Sequence, residues 1–113
     1  MLFRSVVNDE QWGPVLAVGL GGVWVHVLDD TSLRLLPVSD GDVREMLGEL
    51  RGSALLDGVR GSAAADVERL VATIAAFARL AERLGPSLVS IEVNPLRVEG
   101  AEVEALDAVV VWQ

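Results

Sequence analysis

Three side chains near the end of the chain carry oxygen atoms at a spacing that can gather a cation: Glu92, Asn94 and Asp107. Asn94 lies in Glu92-Val93-Asn94-Pro95-Leu96 and Asp107 in Ala105-Leu106-Asp107-Ala108, on either side of Glu99-Gly100-Ala101. Two β-prone runs, Leu88 to Val98 and Glu102 to Trp112, are expected to fold back as a hairpin about that turn. Symmetric pairing sets Val98 against Val103, so partner numbers sum to 201 and Asn94 faces Asp107. Directly opposite residues project to one face with Cβ atoms about 4.5–5.5 Å apart. Glu92, two residues before Asn94, points the same way. A hard cation such as magnesium takes oxygen ligands, often one or two from protein with phosphates and waters completing the octahedron. The same residues also fit a solvated strand face with polar positions at period two, and composition alone favours that plainer reading. Pro95 has no N–H for a ladder and marks a place where pairing is interrupted.

Other candidates are weaker. Gly19-Leu20-Gly21-Gly22 can present backbone amides to phosphate, but its spacing is not that of a dinucleotide fingerprint, and a bulge or bend explains it better. His26 is the one histidine; in a valine-rich strand it reads as structural rather than as a general base. Arg60, between Gly58 and Gly61, can clamp a phosphate oxygen or simply be solvated. Trp12, Trp24 and Trp112 are too dispersed for a stacking platform and read as packing residues.

The bulk properties narrow the classes. With 113 residues, the chain holds one core and is short for an enzyme that closes two lobes around a substrate. Seventeen acidic and nine basic residues give a net charge of -8, and the arginines are scattered, so no nucleic-acid partner is expected. Every basic residue is arginine, which excludes a P-loop lysine and a Schiff-base lysine. There is no cysteine, no apolar run long enough to span a bilayer and no signal-peptide pattern at the start. No membrane association and a cytoplasmic location are expected.

The elements that must position these residues follow from periodicity. Leu2 to Val7 and Val15 to Val18 read as strands around a polar turn, Val23 to Leu28 as a further β-prone stretch, and Leu33 to Val38 as an extended segment. Ser39-Asp40-Gly41-Asp42 has the form of a capping box, and Val43, Met46, Leu47 and Leu50 follow at helical spacing. Ser53 to Gly61 reads as an ordered loop. A longer helix is expected from about Ala64 to Leu84, with Val67, Leu70, Val71, Ile74, Phe77, Ala78 and Ala81 on one stripe and Gly85-Pro86 as its stop. Strands, two helices and a closing hairpin imply an α+β layer, helices on a largely antiparallel sheet.

Taken in order, several segments carry a resemblance. Gly13-Pro14-Val15-Leu16-Ala17-Val18-Gly19-Leu20-Gly21-Gly22-Val23-Trp24-Val25 with Leu33-Arg34-Leu35, then Leu55-Leu56-Asp57-Gly58-Val59-Arg60-Gly61, then Glu92 to Leu96 and Leu106-Asp107-Ala108, together resemble the NDP-forming acyl-CoA synthetases. These are the ADP-forming acetate-CoA ligase group related to succinyl-CoA synthetase. The resemblance implies that residues 1–113 form a single C-terminal ATP-grasp subdomain, a fragment of a larger enzyme. It implies Mg2+ and ATP or ADP as cofactors of the full enzyme, with the metal-ligand roles falling on Asn94 and Asp107, and nucleotide contacts on Arg60 and Glu92. His26 stands where the family usually has glutamate. No residue of this chain is expected to be catalytic. The N-terminal ATP-grasp subdomain, the CoA-binding domain and the phosphohistidine domain would be partners, and the chain alone would be inactive. Alternatives are a non-catalytic interaction or regulatory module of the same fold, and a homodimer through sheet surface that the absent subdomain would otherwise cover.

Overall fold

The structure, a computed structural model, describes residues 2–20, 30–57 and 64–113. The β-prone stretch from Val23 to Leu28, with His26, and the arginine of the glycine-punctuated loop, Arg60, lie outside them. Strands β1 (Leu2–Asp9) and β2 (Gly13–Leu20) form a hairpin in full register from Leu2↔Leu20 to Asp9↔Gly13. Its turn is fixed by the Asp9 carboxylate, which accepts from the amides of Gln11 (2.8 Å) and Trp12 (2.9 Å), and by Gly13 at φ 80°. Strand β3 (Thr31–Leu35) pairs with β2.

Helix α1 (Asp40–Glu49) starts at the expected capping box. Ser39 Oγ accepts from the Asp42 amide at 3.1 Å, and the Asp42 carboxylate accepts from the Ser39 amide at 2.8 Å. A 3-10 turn, Ser53–Asp57, occupies the first half of the segment expected to be a loop. Helix α2 (Val67–Leu84) begins about three residues later than its apolar pattern suggests. The Ala65 amide donates to Leu56 and the Asp66 amide to Gly100, which commits that backbone to tertiary bonds, and the Asp66 side chain then caps the helix through the Arg69 amide.

Strand β4 (Leu88–Glu99) pairs with β1 on one side and on the other with two short strands in succession, β5 (Glu102–Ala105) and β6 (Ala108–Trp112). The expected single return strand is therefore split at Leu106-Asp107. Strand order is β3-β2-β1-β4-β5, with β6 continuing the β5 edge, and each of these pairings is antiparallel.

Both helices pack on one face of the sheet. Val6, Leu16, Val18, Ile91 and Val93 from the strands meet Val43, Met46, Leu70, Val71, Ile74 and Phe77 from the helices in one buried cluster. Each fully buried side chain of this size stabilises the fold by about 1.5–3 kcal/mol relative to exposure. The cross-strand rows of the opposite face run Leu33–Ala17–Ser5–Glu92–Val109 and Leu35–Val15–Val7–Ser90–Val111. Val7, Leu33, Leu35, Val109 and Val111 are all exposed there, so this face of the sheet is open.

Candidate functional site

The expected hairpin register holds from Glu99 back to Ser90 and slips by one residue beyond it, where Leu88 pairs with Trp112. Glu99↔Glu102 and Leu96↔Ala105 in β5, then Val93↔Ala108 and Ser90↔Val111 in β6, all sum to 201. Asn94 and Asp107 fall between the two ladders, and the Asn94 amide donates to the Asp107 carbonyl at 3.2 Å. They are cross-strand neighbours. The interruption comes at Leu106-Asp107, opposite Pro95 and Asn94, where the proline has no N–H to offer.

A second irregularity coincides with it. Against β1, Leu2 pairs with Leu96 but Arg4 pairs with Val93, so the single residue Phe3 spans Asn94 and Pro95. This is a β-bulge, and it resets the side-chain alternation: Ile91 and Val93 are buried, Glu92 is exposed, Asn94 is half-buried, and Leu96 is again buried. Glu92 thus lies one row from the Asn94–Asp107 pair, on the open face. The Asp107 carboxylate is exposed and one oxygen accepts from the Ala108 amide at 2.9 Å; an ionised carboxylate has further acceptor positions. An amide oxygen and a carboxylate at opposed positions are donors a hard cation accepts. Among the described residues no three His, Cys, Asp or Glu side chains gather into a self-contained metal site, so the pair can supply part of a shell and not the whole.

Gly19, the first residue of the glycine motif, acts by packing. A Cβ there would lie 2.6 Å from the Asp30 carbonyl, 2.7 Å from Phe3 Cε1 and 2.9 Å from Thr31 Oγ1. The absent side chain lets the Phe3 ring close over β2, and Gly19 itself keeps regular pairing with Phe3 and Thr31 rather than forming the expected bulge or bend; Gly21 and Gly22 lie outside the described residues.

Sequence reasoning missed two polar clusters. Asp30 is buried, and its two carboxylate oxygens accept from the Arg51 and Gly52 amides, each at 2.7 Å. This ties the segment after α1, and so the entry to the arginine-bearing loop, to the start of β3. Next to it Glu49 accepts from Ser32 Oγ (2.6 Å) and from both Arg34 terminal nitrogens (3.0 and 2.6 Å). The Arg34 guanidinium, with help from the Ser32 hydroxyl, pulls the Glu49 carboxyl down to about 2. A serine and an arginine 17 and 15 positions before a glutamate give no local pattern; only the β3–α1 packing brings them together.

A profile of the ATP-grasp domain matches residues 2–111. The chain belongs to the ATP-grasp domain family. It is 34% identical over 104 residues to the β subunit of acetate–CoA ligase (ADP-forming) I of Pyrococcus furiosus, covering 92% of this chain and 44% of that subunit. It is 39% identical over 107 residues to acetate–CoA ligase (ADP-forming) II of Archaeoglobus fulgidus, covering 95% of this chain and 16% of that protein. A solved structure of the dinucleotide-forming acetyl-coenzyme A synthetase 1 of Ca. Korarchaeum cryptofilum, in complex with coenzyme A and Mg-AMPPCP, superposes with a TM-score of 0.90 at 27% identity. The match covers 99% of this chain and 52% of that one. The ATP-grasp subdomain fold and the kinship with the ATP-grasp region of ADP-forming acyl-CoA ligases thus agree with the motif resemblance. The chain spans about half the length, or less, of the relatives it matches. No helix among the described residues is long and apolar enough to cross a membrane.

Proposed function

We propose that residues 1–113 are the C-terminal ATP-grasp subdomain of an NDP-forming acyl-CoA synthetase, whose whole reaction converts an acid, CoA and ATP into acyl-CoA, ADP and phosphate, reversibly. In this reading Asn94 and Asp107 ligate Mg2+, which when bound neutralises phosphate oxygens of the nucleotide. Glu92 orients groups beside the ion, and Arg60 contacts phosphate from its loop. The observation that carries the reading is the meeting of Asn94 and Asp107 across the hairpin, at a bulge, on the uncovered face of the sheet. The Mg-AMPPCP complex of the Korarchaeum relative supports nucleotide and magnesium as the ligands. The exposed apolar residues Val7, Leu33, Leu35, Val109 and Val111 support a second subdomain as the cover of that face, in a cytoplasmic enzyme.

A half-site makes a quantitative statement. One amide oxygen and one carboxylate without the opposing lobe leave most of the nucleotide solvated, so affinity should be poor. Calorimetry of Mg-ATP into this chain is expected to give a dissociation constant weaker than about 100 μM, some 5.5 kcal/mol or less of binding free energy. Low-micromolar binding by the chain alone would show a complete site and overturn the reading.

A further inference from the structure

The helix-covered side of the sheet holds a buried arginine that the nucleotide reading does not use. Arg4 stands in β1 between Val18 of β2 and Val93 of β4, flanked along its own strand by the buried Leu2 and Val6. It is only 9% exposed, and among the described residues its Nε and Nη1 have no hydrogen-bond partner. The guanidinium carbon lies 4.8 Å from the centre of the Phe77 ring. A ring face attracts the charge but accepts none of the N–H bonds in the guanidinium plane. Buried donors without acceptors are rare in folded proteins and call for an explanation.

The surroundings supply one. Arg4 lines an open groove of about 550 Å³ along α2, together with Arg69, Ala72, Thr73, Ala76, Phe77 and Leu80. Arg69, Ala72, Ala76 and Leu80 are exposed, so the groove is reachable from solvent. Its walls are mostly alkyl and aromatic, the Thr73 hydroxyl donates to the Arg69 carbonyl at 2.8 Å, and its charges are two arginines in a chain of net charge -8. We propose that this groove binds a small organic carboxylate, whose oxygens accept from the Arg4 guanidinium while its apolar body lies along Ala72, Ala76 and Leu80. A planar carboxylate matches the planar donor set. A phosphate group would turn its remaining oxygens toward walls that are alkyl apart from Thr73, whose hydroxyl hydrogen is already given to the Arg69 carbonyl. Arg69 adds a second positive charge at the rim and steers the anion inward. The groove is on the face opposite Asn94 and Asp107, so the proposal does not depend on the nucleotide reading.

The test is titration of the 15N-labelled chain with acetate, butyrate and hexanoate at constant ionic strength. The readouts are the arginine Nε–H resonances and the α2 backbone amides. Saturable shifts of Arg4 Nε–H and of the Ala72–Phe77 amides are expected, with affinity rising about two- to fourfold for each methylene buried. Arg69→Gln, at an exposed position, should weaken binding by about three- to tenfold at low salt. Arg4→Met should remove binding, since the methionine keeps the apolar stem without the donors. Shifts that sodium chloride alone reproduces, or that persist in both variants, would overturn the site. Inorganic phosphate binding more tightly than hexanoate would overturn the assignment of ligand class. If Arg4→Met does not fold, Arg69→Gln with the chain-length series decides the matter.

Discussion

Gly19→Ala should destabilise this protein although alanine is the better strand residue. The new Cβ would sit 2.6 Å from the Asp30 carbonyl and 2.7 Å from the Phe3 ring, and the first of these is backbone. Gly19 pairs with Phe3 on one side and Thr31 on the other, so neither neighbouring strand can shift without disturbing a ladder. Overpacking of this kind costs about 1–3 kcal/mol. If β2 withdraws to relieve it, the 3.0 Å bond from the Leu20 amide to the Asp30 carbonyl weakens, at about 1 kcal/mol more. Replacing glycine returns about 0.5–1 kcal/mol of backbone entropy. The net expectation is a loss of about 2 kcal/mol, which for a chain of this length lowers the melting temperature by about 8 °C. Gly48→Ala is the control. Nothing lies within 4 Å of its added Cβ in α1, so it should gain about 0.5–1 kcal/mol and melt a few degrees higher. Thermal melts by circular dichroism read both. A neutral or stabilised Gly19→Ala protein would refute the close-packing account of the glycine motif.

Three further outcomes follow from the polar clusters and the cap. The Glu49 carboxyl is held at about 2 against an ordinary 4.5. Its contribution is therefore fully present above about pH 4.5 and is lost as pH falls through about 2. Melting curves of the native chain and Glu49→Gln should differ at pH 7 and converge below about pH 2; a constant gap across that range would contradict the Arg34–Ser32 assignment. Asp30→Ala strands two part-buried backbone amides and should cost about 1–3 kcal/mol, whereas Glu68→Ala, which breaks the exposed pair with Arg44, should change stability far less. Denaturant titration gives both, and equal losses would argue against the Asp30 latch. Asp66→Ala should cost about 1 kcal/mol by removing the α2 cap; unchanged stability would mean that the tertiary bonds of residues 65 and 66 alone set the helix start.

The parts of the molecule that local chemistry controls were readable in the chain. The Ser39–Asp42 box, the α2 stripe and the Gly85 stop each depend on residues within a turn or two, and each appears where its pattern lies. The hairpin register was legible because a symmetric turn and period-two alternation leave one pairing that keeps Ile91 and Val93 inside. The bulge at Asn94-Pro95 was foreshadowed only by the proline. Its position depends on Phe3, some ninety residues away, and on the space that Gly19 leaves for that ring. The start of α2 shifted for a similar reason, since the amides of Ala65 and Asp66 are taken by Leu56 and Gly100. Asp30 and Glu49 were invisible as a group because long-range packing, not spacing, makes them neighbours. For the candidate site itself, the sequence supplied the pair, and the fold added the bulge that presents it and the open face that it occupies.

The central claim is that Asn94 and Asp107 bind a divalent ion together. The most direct measurement is paramagnetic relaxation by substoichiometric Mn2+ in the presence of ADP, mapped on the backbone amides of the 15N-labelled chain. The amides of Val93, Asn94, Asp107 and Ala108 should broaden first, and Asp107→Ala, an exposed and therefore mild substitution, should abolish that local broadening. Broadening that begins instead at Asp40 and Asp42 of α1 or at Glu102 and Glu104 of β5, and that Asp107→Ala leaves unchanged, would contradict the account.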